Sequence, residues 1–313
     1  MSDSLLQLID RYRNKDRRAL SRLLTLAARG EHLSEILAAA SVPQSKRIPV
    51  VTLTGSAGVG KSTLTGKLIE LLRRKDKRVA VLACDPQSPL SGGALLGDRF
   101  RMPTTPDEGV FIRSLSSAGG RGAIAEHLPV LLKLLAGFGF DVILLETVGA
   151  GQGDTVVRDI ADVVVFLVQP ETGDDLQWEK AGLLEVCDIV VIHKSDLPGA
   201  EHAEAQLRSM LELSSGPIPV ILRVSSKTGS GMEELWQAIE RAADSEHVRR
   251  DAGRELLRQV QEFLSARFVQ LEEDAALQQL VADWKAGEVD LNDAARRLVD
   301  LLLTAGANPR SSP

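Results

Sequence analysis

The nine residues from Gly55 to Thr63 constrain the fold of this chain more than any other segment. They read G-S-A-G-V-G-K-S-T, directly after the apolar run Ile48–Thr54 and directly before a helical pattern that reaches Lys75. Glycines let the backbone turn tightly so that its N–H groups point at phosphate oxygens, and the following helix directs its positive end at the same anion. This is the spacing of a P-loop between a strand and a helix, which predicts that the chain binds a nucleoside triphosphate.

Each position of this loop has a predicted contact with the nucleotide. Lys61 is expected to neutralise the β- and γ-phosphates and is a candidate catalytic residue, and the Ser62 hydroxyl is expected to bind Mg²⁺. The predicted phosphate-binding residues are Gly55, Ser56, Ala57, Gly58, Val59, Gly60, Lys61, Ser62 and Thr63.

Apolar runs of strand length alternate with helical patterns through the middle of the chain. The strand candidates are Ile48–Thr54, Arg78–Ala83, Gly109–Arg113, Asp141–Glu146, Val163–Val168, Ile189–His193 and Val220–Val224. The helical patterns are Lys61–Lys75, Ile124–Gly137, Glu201–Leu213 and Gly229–Ala243. Such alternation is typical of an α/β fold in which helices cover both faces of a largely parallel sheet.

Changes in this pattern along the chain predict its domain organisation. We expect a helical N-terminal segment at residues 1–45, a P-loop domain at 46–244, a helical extension at 245–307 and a disordered tail at 308–313. The N-terminal segment is assigned from leucines that recur at helical spacing.

The predicted extension carries large apolar residues on one side. The range Glu255–Leu271 forms an amphipathic stripe, a second helix reaches Trp284, and a third runs from about Asp290 to Leu303. An arm of this kind more often pairs with a second copy than packs within its own chain. A homodimer is therefore predicted, with intramolecular packing as the alternative.

The composition disfavours several classes of protein. The net charge is −6 without a long run of Lys or Arg, which argues against sequence-independent binding to nucleic acid. No apolar run approaches the ~20 residues that span a bilayer, and the first residues do not read as a secretion signal. Both cysteines, Cys84 and Cys187, lie in apolar runs typical of buried thiols. We therefore expect a soluble cytoplasmic protein with no nucleic-acid or membrane partner.

Acidic residues and glycines follow two of the strands at the edge where the P-loop is expected. Asp85 and Glu146 come at the carboxyl ends of their strands, where ligands bind in open parallel sheets, and carboxylates are suitable ligands for Mg²⁺. Taken without the P-loop, Asp85 before a proline also fits a turn. The Gly149 N–H is expected to contact the γ-phosphate and to lose this contact on hydrolysis. Gln152 either orients the attacking water or is simply a polar loop residue.

A loop for base recognition follows the sixth apolar run, with the sequence H-K-S-D at residues 193–196. Guanine-binding P-loop proteins have Asn-Lys-x-Asp here. Their Asp accepts hydrogen bonds from guanine N1 and N2, the Lys stem packs on the ring, and the Asn donates to N7 and ties the loop to the P-loop. This chain retains Lys194 and Asp196, but His193 replaces the Asn. A neutral imidazole has one N–H, so His193 either donates to N7 or only ends a buried strand. The third base-contacting loop is predicted at Ser225, Ser226 and Lys227.

With these motifs in place, the chain resembles the MeaB/ArgK-like GTPases, a family that includes the human methylmalonic aciduria type A protein. The matching stretches are G-S-A-G-V-G-K-S-T at 55–63, D-P-Q-S-P-L-S-G-G-A-L-L-G-D-R at 85–99, F-I-R-S at 111–114, E-T-V-G-A-G-Q at 146–152, Q-P-E-T-G-D-D-L-Q at 169–177 and H-K-S-D at 193–196. The resemblance covers most of residues 15–245.

The resemblance implies a GTPase that chaperones an adenosylcobalamin-dependent acyl-CoA mutase. Such a protein gates cofactor delivery by an adenosyltransferase and protects or reactivates the mutase. By matching motif, the residues around Mg²⁺, directly or through water, are Ser62, Asp85, Asp98 and Glu146. The candidate catalytic residues are Lys61, Asp98, Glu146 and Gln152. The segment Gln169–Gly182, with Asp174 and Lys180, matches a switch that signals to the mutase. Intrinsic hydrolysis is expected to be slow and stimulated by the partner, because no arginine finger is evident.

One loop departs from the family pattern, since residues 116–123 read S-S-A-G-G-R-G-A, with Ala118 in place of the usual Arg and Arg121 further on. The expected partner is therefore methylmalonyl-CoA mutase or a relative, and a mutase that acts on isobutyryl-CoA or 2-hydroxyisobutyryl-CoA is one candidate. Three other functions are possible: a metal-insertion GTPase, a small-molecule kinase and a non-hydrolysing nucleotide-gated module. The first is disfavoured because the five histidines and two cysteines show no metal-ligand spacing.

Overall fold

The computed structural model describes residues 4–40, 48–86, 108–117, 127–147, 160–170, 187–212, 218–245, 260, 264, 267–268, 271 and 274–304. The chain divides into two compact units, Met1–Asp244 and Ser245–Pro313, and the P-loop belongs to the first. No helix in the described ranges is both long enough and apolar enough to cross a membrane.

Seven strands form one sheet in the first unit, in the order β3-β2-β4-β1-β5-β6-β7. Their bounds are β1 Val50–Gly55, β2 Val79–Pro86, β3 Val110–Ser117, β4 Val142–Glu146, β5 Val163–Val168, β6 Ile189–His193 and β7 Val220–Val224. Every pairing between these strands is parallel. Four of them (β1, β4, β5 and β6) are buried along their whole length, as strands covered on both faces should be. The predicted α/β fold with a parallel sheet is confirmed.

Two strands continue beyond the apolar runs that predict them. β2 extends to Pro86 and β3 to Ser117, and the two strands pair along their full length. An apolar run ends where side chains leave the core, whereas backbone hydrogen bonding can continue through the polar residues that follow. Asp85 is consequently part of β2 and not of the loop after it.

Helices cover both faces of this sheet. They are α1 Leu5–Arg13, α2 Arg17–Ala28, α3 Leu33–Ala39, α4 Lys61–Arg74, α5 Leu128–Phe138, α6 Ala200–Glu212 and α7 Met232–Ala243. The helices α1, α2, α3 and α5 pack on one face, against alternate residues of β2 and β4 such as Leu82 and Leu145. On the opposite face, α4 and α7 pack against residues such as Val81 and Leu144. The helix α6 packs on β5 and β6. Successive residues of each central strand therefore contact different helical layers.

The three N-terminal helices share a core with the sheet. Leu20 of α2 is fully buried in the cluster that includes residues of β2 and β4. Ser4 begins α1 with a capping box, and the Asp16 carboxylate begins α2 by accepting hydrogen bonds from backbone N–H groups of its first turn. The buried Tyr12 hydroxyl donates a hydrogen bond of 2.8 Å to the Leu134 carbonyl oxygen, which connects α1 to α5. These helices therefore stabilise one face of the P-loop unit.

In the second unit the structure describes two helices that pack on each other. They are α8 Ala275–Ala286 and α9 Leu291–Thr304. Leu280 and Leu302 are buried, whereas the large side chains of Trp284 and Leu303 are exposed. Most of the predicted stripe Glu255–Leu271 lies outside the described residues.

Candidate nucleotide-binding site

The predicted P-loop lies at the carboxyl end of β1, near the middle of the sheet. The strands β2, β3 and β4 lie on one side of β1, and β5, β6 and β7 lie on the other. In open parallel sheets a change of direction of this kind creates a crevice at the carboxyl ends of the strands, where ligands bind. Since β1 ends at Gly55 and α4 begins at Lys61, the loop between them lies at this crevice.

Two glycines of the loop are required by its backbone and its neighbours. Gly55 has φ +146°, and a Cβ atom there would lie 2.5 Å from the carbonyl oxygen of Leu167 in β5. Gly60 has φ +102°, and a Cβ atom there would lie 2.5 Å from the ring of His193. Any side chain at these positions would force the neighbouring group to move.

Lys61 is 8% exposed, and its ammonium group is held against the loop. It donates hydrogen bonds to the carbonyl oxygens of Gly55, at 2.9 Å, and Ser56, at 3.1 Å. The positive charge is thereby fixed beside the backbone that is predicted to surround the phosphates.

The other loop residues differ in exposure. Ala57 and Gly58 form an exposed tip, Val59 is buried beneath it, and Thr63 is exposed on the first turn of α4. The buried Val59 side chain anchors the loop in the core between the sheet and α4.

Ser62 and Glu146 meet beneath the loop. The Ser62 hydroxyl donates a hydrogen bond of 2.6 Å to Oε1 of Glu146, which is only 5% exposed at the end of β4. The Thr65 hydroxyl lies 3.4 Å from Oε2 of the same carboxylate and also donates to the Lys61 carbonyl oxygen at 2.9 Å. Sequence reasoning did not identify Thr65, and its only signal is a spacing of one helical turn from Lys61.

The Ser62–Glu146 pair fits two positions of a magnesium site. Mg²⁺ prefers oxygen ligands, and in nucleotide sites it commonly binds one or two carboxylates together with phosphate oxygens and water. Backbone pairing places Glu146 beside Leu53 of β1 and Ala83 of β2, with Asp85 two residues further along β2. The side chain of Asp85 and the whole of Asp98 lie outside the described residues. Among the residues that are described, no three His, Cys, Asp or Glu side chains cluster in a way that could hold a metal ion.

The segment after Glu146 is described only at its start. The hydroxyl groups of Thr147 and Thr54 are hydrogen-bonded at 3.0 Å, which connects the end of β4 to β1. Several predicted residues lie outside the described ranges, namely Gly149, Gln152, Asp174 and Lys180, together with the loop from 118 to 126.

Asp196 is held by the loop Ser225–Lys227, which is predicted to contact the base. Its Oδ1 accepts a hydrogen bond of 2.6 Å from the Ser225 hydroxyl, and the Lys227 ammonium lies 3.8 Å from Oδ2. The hydrogen bond from Ser225 is the main reason that the pKa of Asp196 lies below its usual value. The carboxylate is therefore ionised at neutral pH, and its two oxygens have lone pairs for further donors such as guanine N1 and N2.

Lys194 links the base loop to two other segments. Its ammonium group donates to the Gly58 carbonyl oxygen at 3.2 Å and to Oε1 of Gln169 at 2.8 Å. Gln169 is the first residue of the segment predicted to signal to a partner. The link between this segment and the base loop has no counterpart in the sequence prediction.

His193 connects the P-loop to the loop Ser225–Lys227. The ring is 2% exposed at the end of β6. Its Nδ1 lies 2.8 Å from the Val59 carbonyl oxygen, and its Nε2 lies 2.7 Å from the Ser226 hydroxyl. Burial is the main reason that the pKa of His193 is lowered, so the ring is neutral at pH 7. Three loops that are distant in sequence thus converge at the carboxyl edge of the sheet.

Comparison with known proteins gives this arrangement a family context. The model of a family described as methylmalonyl Co-A mutase-associated GTPase MeaB matches residues 20–284. A Pyrococcus horikoshii protein named as a GTPase is 41% identical over 240 residues, which cover 74% of this chain and 76% of the relative. A Geobacillus kaustophilus protein named fused isobutyryl-CoA mutase is 34% identical over 216 residues, which cover 66% of this chain and 20% of that protein.

A similar overall structure is also known. The crystal structure of a protein titled LAO/AO transport system kinase aligns with a TM-score of 0.63 and 25% sequence identity. The alignment covers 97% of this chain and 99% of the other. The similarity therefore extends beyond the P-loop motif to nearly the full length of both chains.

Proposed function

The chain belongs to the MeaB family of methylmalonyl-CoA mutase-associated GTPases, and from this premise we propose that it is a GTP-hydrolysing chaperone of an adenosylcobalamin-dependent acyl-CoA mutase. It gates the delivery of adenosylcobalamin from an adenosyltransferase, and it protects or reactivates the mutase. The mutase is methylmalonyl-CoA mutase or a relative such as isobutyryl-CoA or 2-hydroxyisobutyryl-CoA mutase. The observation that carries the proposal is the position of the base loop, which retains Lys194 and Asp196, the residues expected to select guanine. Lys194 donates a hydrogen bond to the P-loop, and Asp196 accepts one from Ser225.

In the proposed reaction the loop residues position the triphosphate. Lys61 pairs with the β- and γ-phosphate oxygens and leaves its two carbonyl partners when they bind. Ser62 and Glu146 would hold Mg²⁺, together with Asp85 and Asp98. Bound Mg²⁺ would neutralise charge that develops on the phosphate oxygens. Gln152 orients the attacking water, and Gly149 contacts the γ-phosphate until it is released.

The contacts of Lys194 support a route from the nucleotide to the partner. When the Lys194 stem packs on the guanine ring, we expect its ammonium group to adjust its bonds to Gly58 and Gln169. Gln169 begins the segment Gln169–Gly182, which we propose as the surface that senses the nucleotide state for the mutase. The Geobacillus kaustophilus relative supports a mutase as the partner, because the region that matches this chain is one part of a protein named fused isobutyryl-CoA mutase.

We also propose that the second unit forms a homodimer. Trp284 and Leu303 expose large apolar side chains that a second copy could cover. Sedimentation velocity at micromolar concentration is expected to show a dimer. A monomer at that concentration contradicts this part of the proposal.

The function is tested by calorimetric titration of GTP, GDP and ATP, followed by phosphate release with and without purified mutases. We expect guanine nucleotides to bind at least a hundredfold more tightly than ATP, and a cognate mutase to accelerate phosphate release. The variant Lys61→Ala is the control and should not release phosphate. Equal affinity for ATP contradicts the guanine assignment, and phosphate release that no mutase accelerates contradicts the chaperone role. Loss of the γ-phosphate only to an added small-molecule acceptor indicates a kinase.

A further inference from the structure

The two hydrogen bonds of His193 determine where the proton of its ring lies. A carbonyl oxygen can only accept, so the Val59 carbonyl at 2.8 Å requires an N–H on Nδ1. A neutral imidazole has only one N–H group, and Nε2 is then an acceptor. The Ser226 hydroxyl at 2.7 Å must therefore donate its proton to Nε2.

The surroundings keep the ring in this neutral form. The imidazole is 2% exposed, and burial is the largest effect that lowers its pKa. The hydrogen bond to Val59 and the charge of Asp196 oppose this effect and Lys194 adds to it, so that the pKa of His193 is lowered overall. At neutral pH the ring has no second proton with which to form another bond.

Guanine N7 is a hydrogen-bond acceptor, so a contact to it needs a donor. The amide of an Asn has two N–H bonds and can donate one to the P-loop and the other to N7. His193 has one, which the P-loop carbonyl already accepts. If Ser226 rotates away when a nucleotide binds, the lone pair of Nε2 is exposed, and it would repel the lone pair of N7.

On the basis of the proposed guanine-nucleotide function, we propose that His193 is a positioning residue that ties the P-loop to the base loops and makes no hydrogen bond to N7. This chain then binds guanine without a hydrogen bond to N7. It selects guanine through Asp196, on the N1 and N2 side of the base. The imidazole needs Gly60 beside it, because a Cβ atom there would lie 2.5 Å from the ring. The larger ring of His193 thus performs one of the two functions of the usual Asn, the bond to the P-loop, but not the other, the bond to N7.

The test compares GDP with 7-deaza-GDP, in which a C–H group replaces N7, by calorimetric titration at pH 7.5. For the unmodified protein we expect the two affinities to agree within about twofold. For the variant His193→Asn, which regains a second N–H, we expect GDP to bind about three- to tenfold more tightly than 7-deaza-GDP, as for one neutral hydrogen bond. Inosine diphosphate lacks the 2-amino group and should bind more weakly than GDP to both proteins.

The possible outcomes separate this inference from the proposed function. A preference of the unmodified protein for GDP over 7-deaza-GDP by threefold or more, with ADP still excluded, overturns the inference alone. Binding of ADP as tight as that of GDP overturns the guanine assignment itself. If His193→Asn fails to fold, ¹⁵N NMR of the unmodified protein decides. We expect an N–H on Nδ1 of His193 in the nucleotide-bound state, and an N–H on Nε2 alone overturns the inference.

Discussion

Gly60→Ala is the substitution for which the structure gives the clearest expected magnitude. Gly60 has φ +102°, in the left-handed region, where a residue with a Cβ atom is strained by about 1–2 kcal/mol. The new methyl group would also lie 2.5 Å from the His193 ring. If the ring moves, its hydrogen bonds to Val59 and Ser226 are lost, at about 1 kcal/mol each. We therefore expect the free energy of unfolding to fall by about 3–4 kcal/mol.

The chain offers a matched control in the same loop. Gly58 also has a positive φ, of +77°, but within the described part of the chain a Cβ atom there would meet nothing within 4 Å beyond its two chain neighbours. Gly58→Ala should therefore show only the backbone strain of about 1–2 kcal/mol. Both variants are measured by urea unfolding of the nucleotide-free protein, followed by circular dichroism and by tryptophan fluorescence, because the two compact units can unfold separately.

A double-mutant cycle identifies the contact itself. Without the imidazole the new methyl group meets no ring, so Gly60→Ala in a His193→Ala background should lower stability by only about 1–2 kcal/mol. The expected coupling between the two sites is about 2 kcal/mol, within the range for residues in contact. If Gly60→Ala has the same effect in both backgrounds, the His193 ring is not the reason that this position requires glycine.

Three further changes test other parts of the molecule. Ser62→Ala should weaken GDP binding in Mg²⁺ by at least about tenfold and have little effect in EDTA, because only the metal-dependent contact is lost; equal loss in both buffers contradicts a role in metal binding. Leu20→Ala, at a fully buried site shared with the sheet, should lower the free energy of unfolding by about 2–5 kcal/mol, whereas Leu6→Ala, 75% exposed, should change it by less than about 0.5 kcal/mol; similar values for the two would contradict an integral N-terminal layer. Because the folded pKa of His193 is lowered, stability should be fully present above the ordinary pKa of about 6.5 and decline as the pH falls below it. The variant His193→Asn should show less of this decline between pH 7 and 5, and parallel curves for the two proteins would contradict it.

The sheet was predictable because its strands are short apolar runs separated by helical patterns. All seven strands were found near their predicted positions, and four are buried on both faces. The start of α5 was not predictable from apolar spacing alone. The helix begins at Leu128 rather than Ile124, with a left-handed His127 before it and a proline in its first turn. The left-handed backbone of His127 sets the start of this helix, which the spacing of apolar residues does not indicate.

The site was predictable only where the residues that act together lie in one short sequence motif. The P-loop and its strand–helix context were evident, and so was the base loop. The contacts that join them were not, because they connect residues far apart in the sequence, such as Val59 with His193 and His193 with Ser226. The sequence alone left open whether His193 donates to guanine N7 or only ends a buried strand. The structure shows a ring with two well-formed hydrogen bonds.

The strand order has a consequence for how this site is assembled during synthesis. Among the seven strands of the sheet, the central strand β1 is the first to leave the ribosome, but its neighbours β4 and β5 end only at Glu146 and Val168. Domains fold as units during translation, and contacts between distant segments form only after both have been made. A nascent chain that ends before Val163 has no β5 beside Gly55, and one that ends before Ser226 cannot complete the bonds of His193. The P-loop is thus translated before the other nucleotide-binding segments. Its contacts are completed late, by residues from the last strands of the sheet.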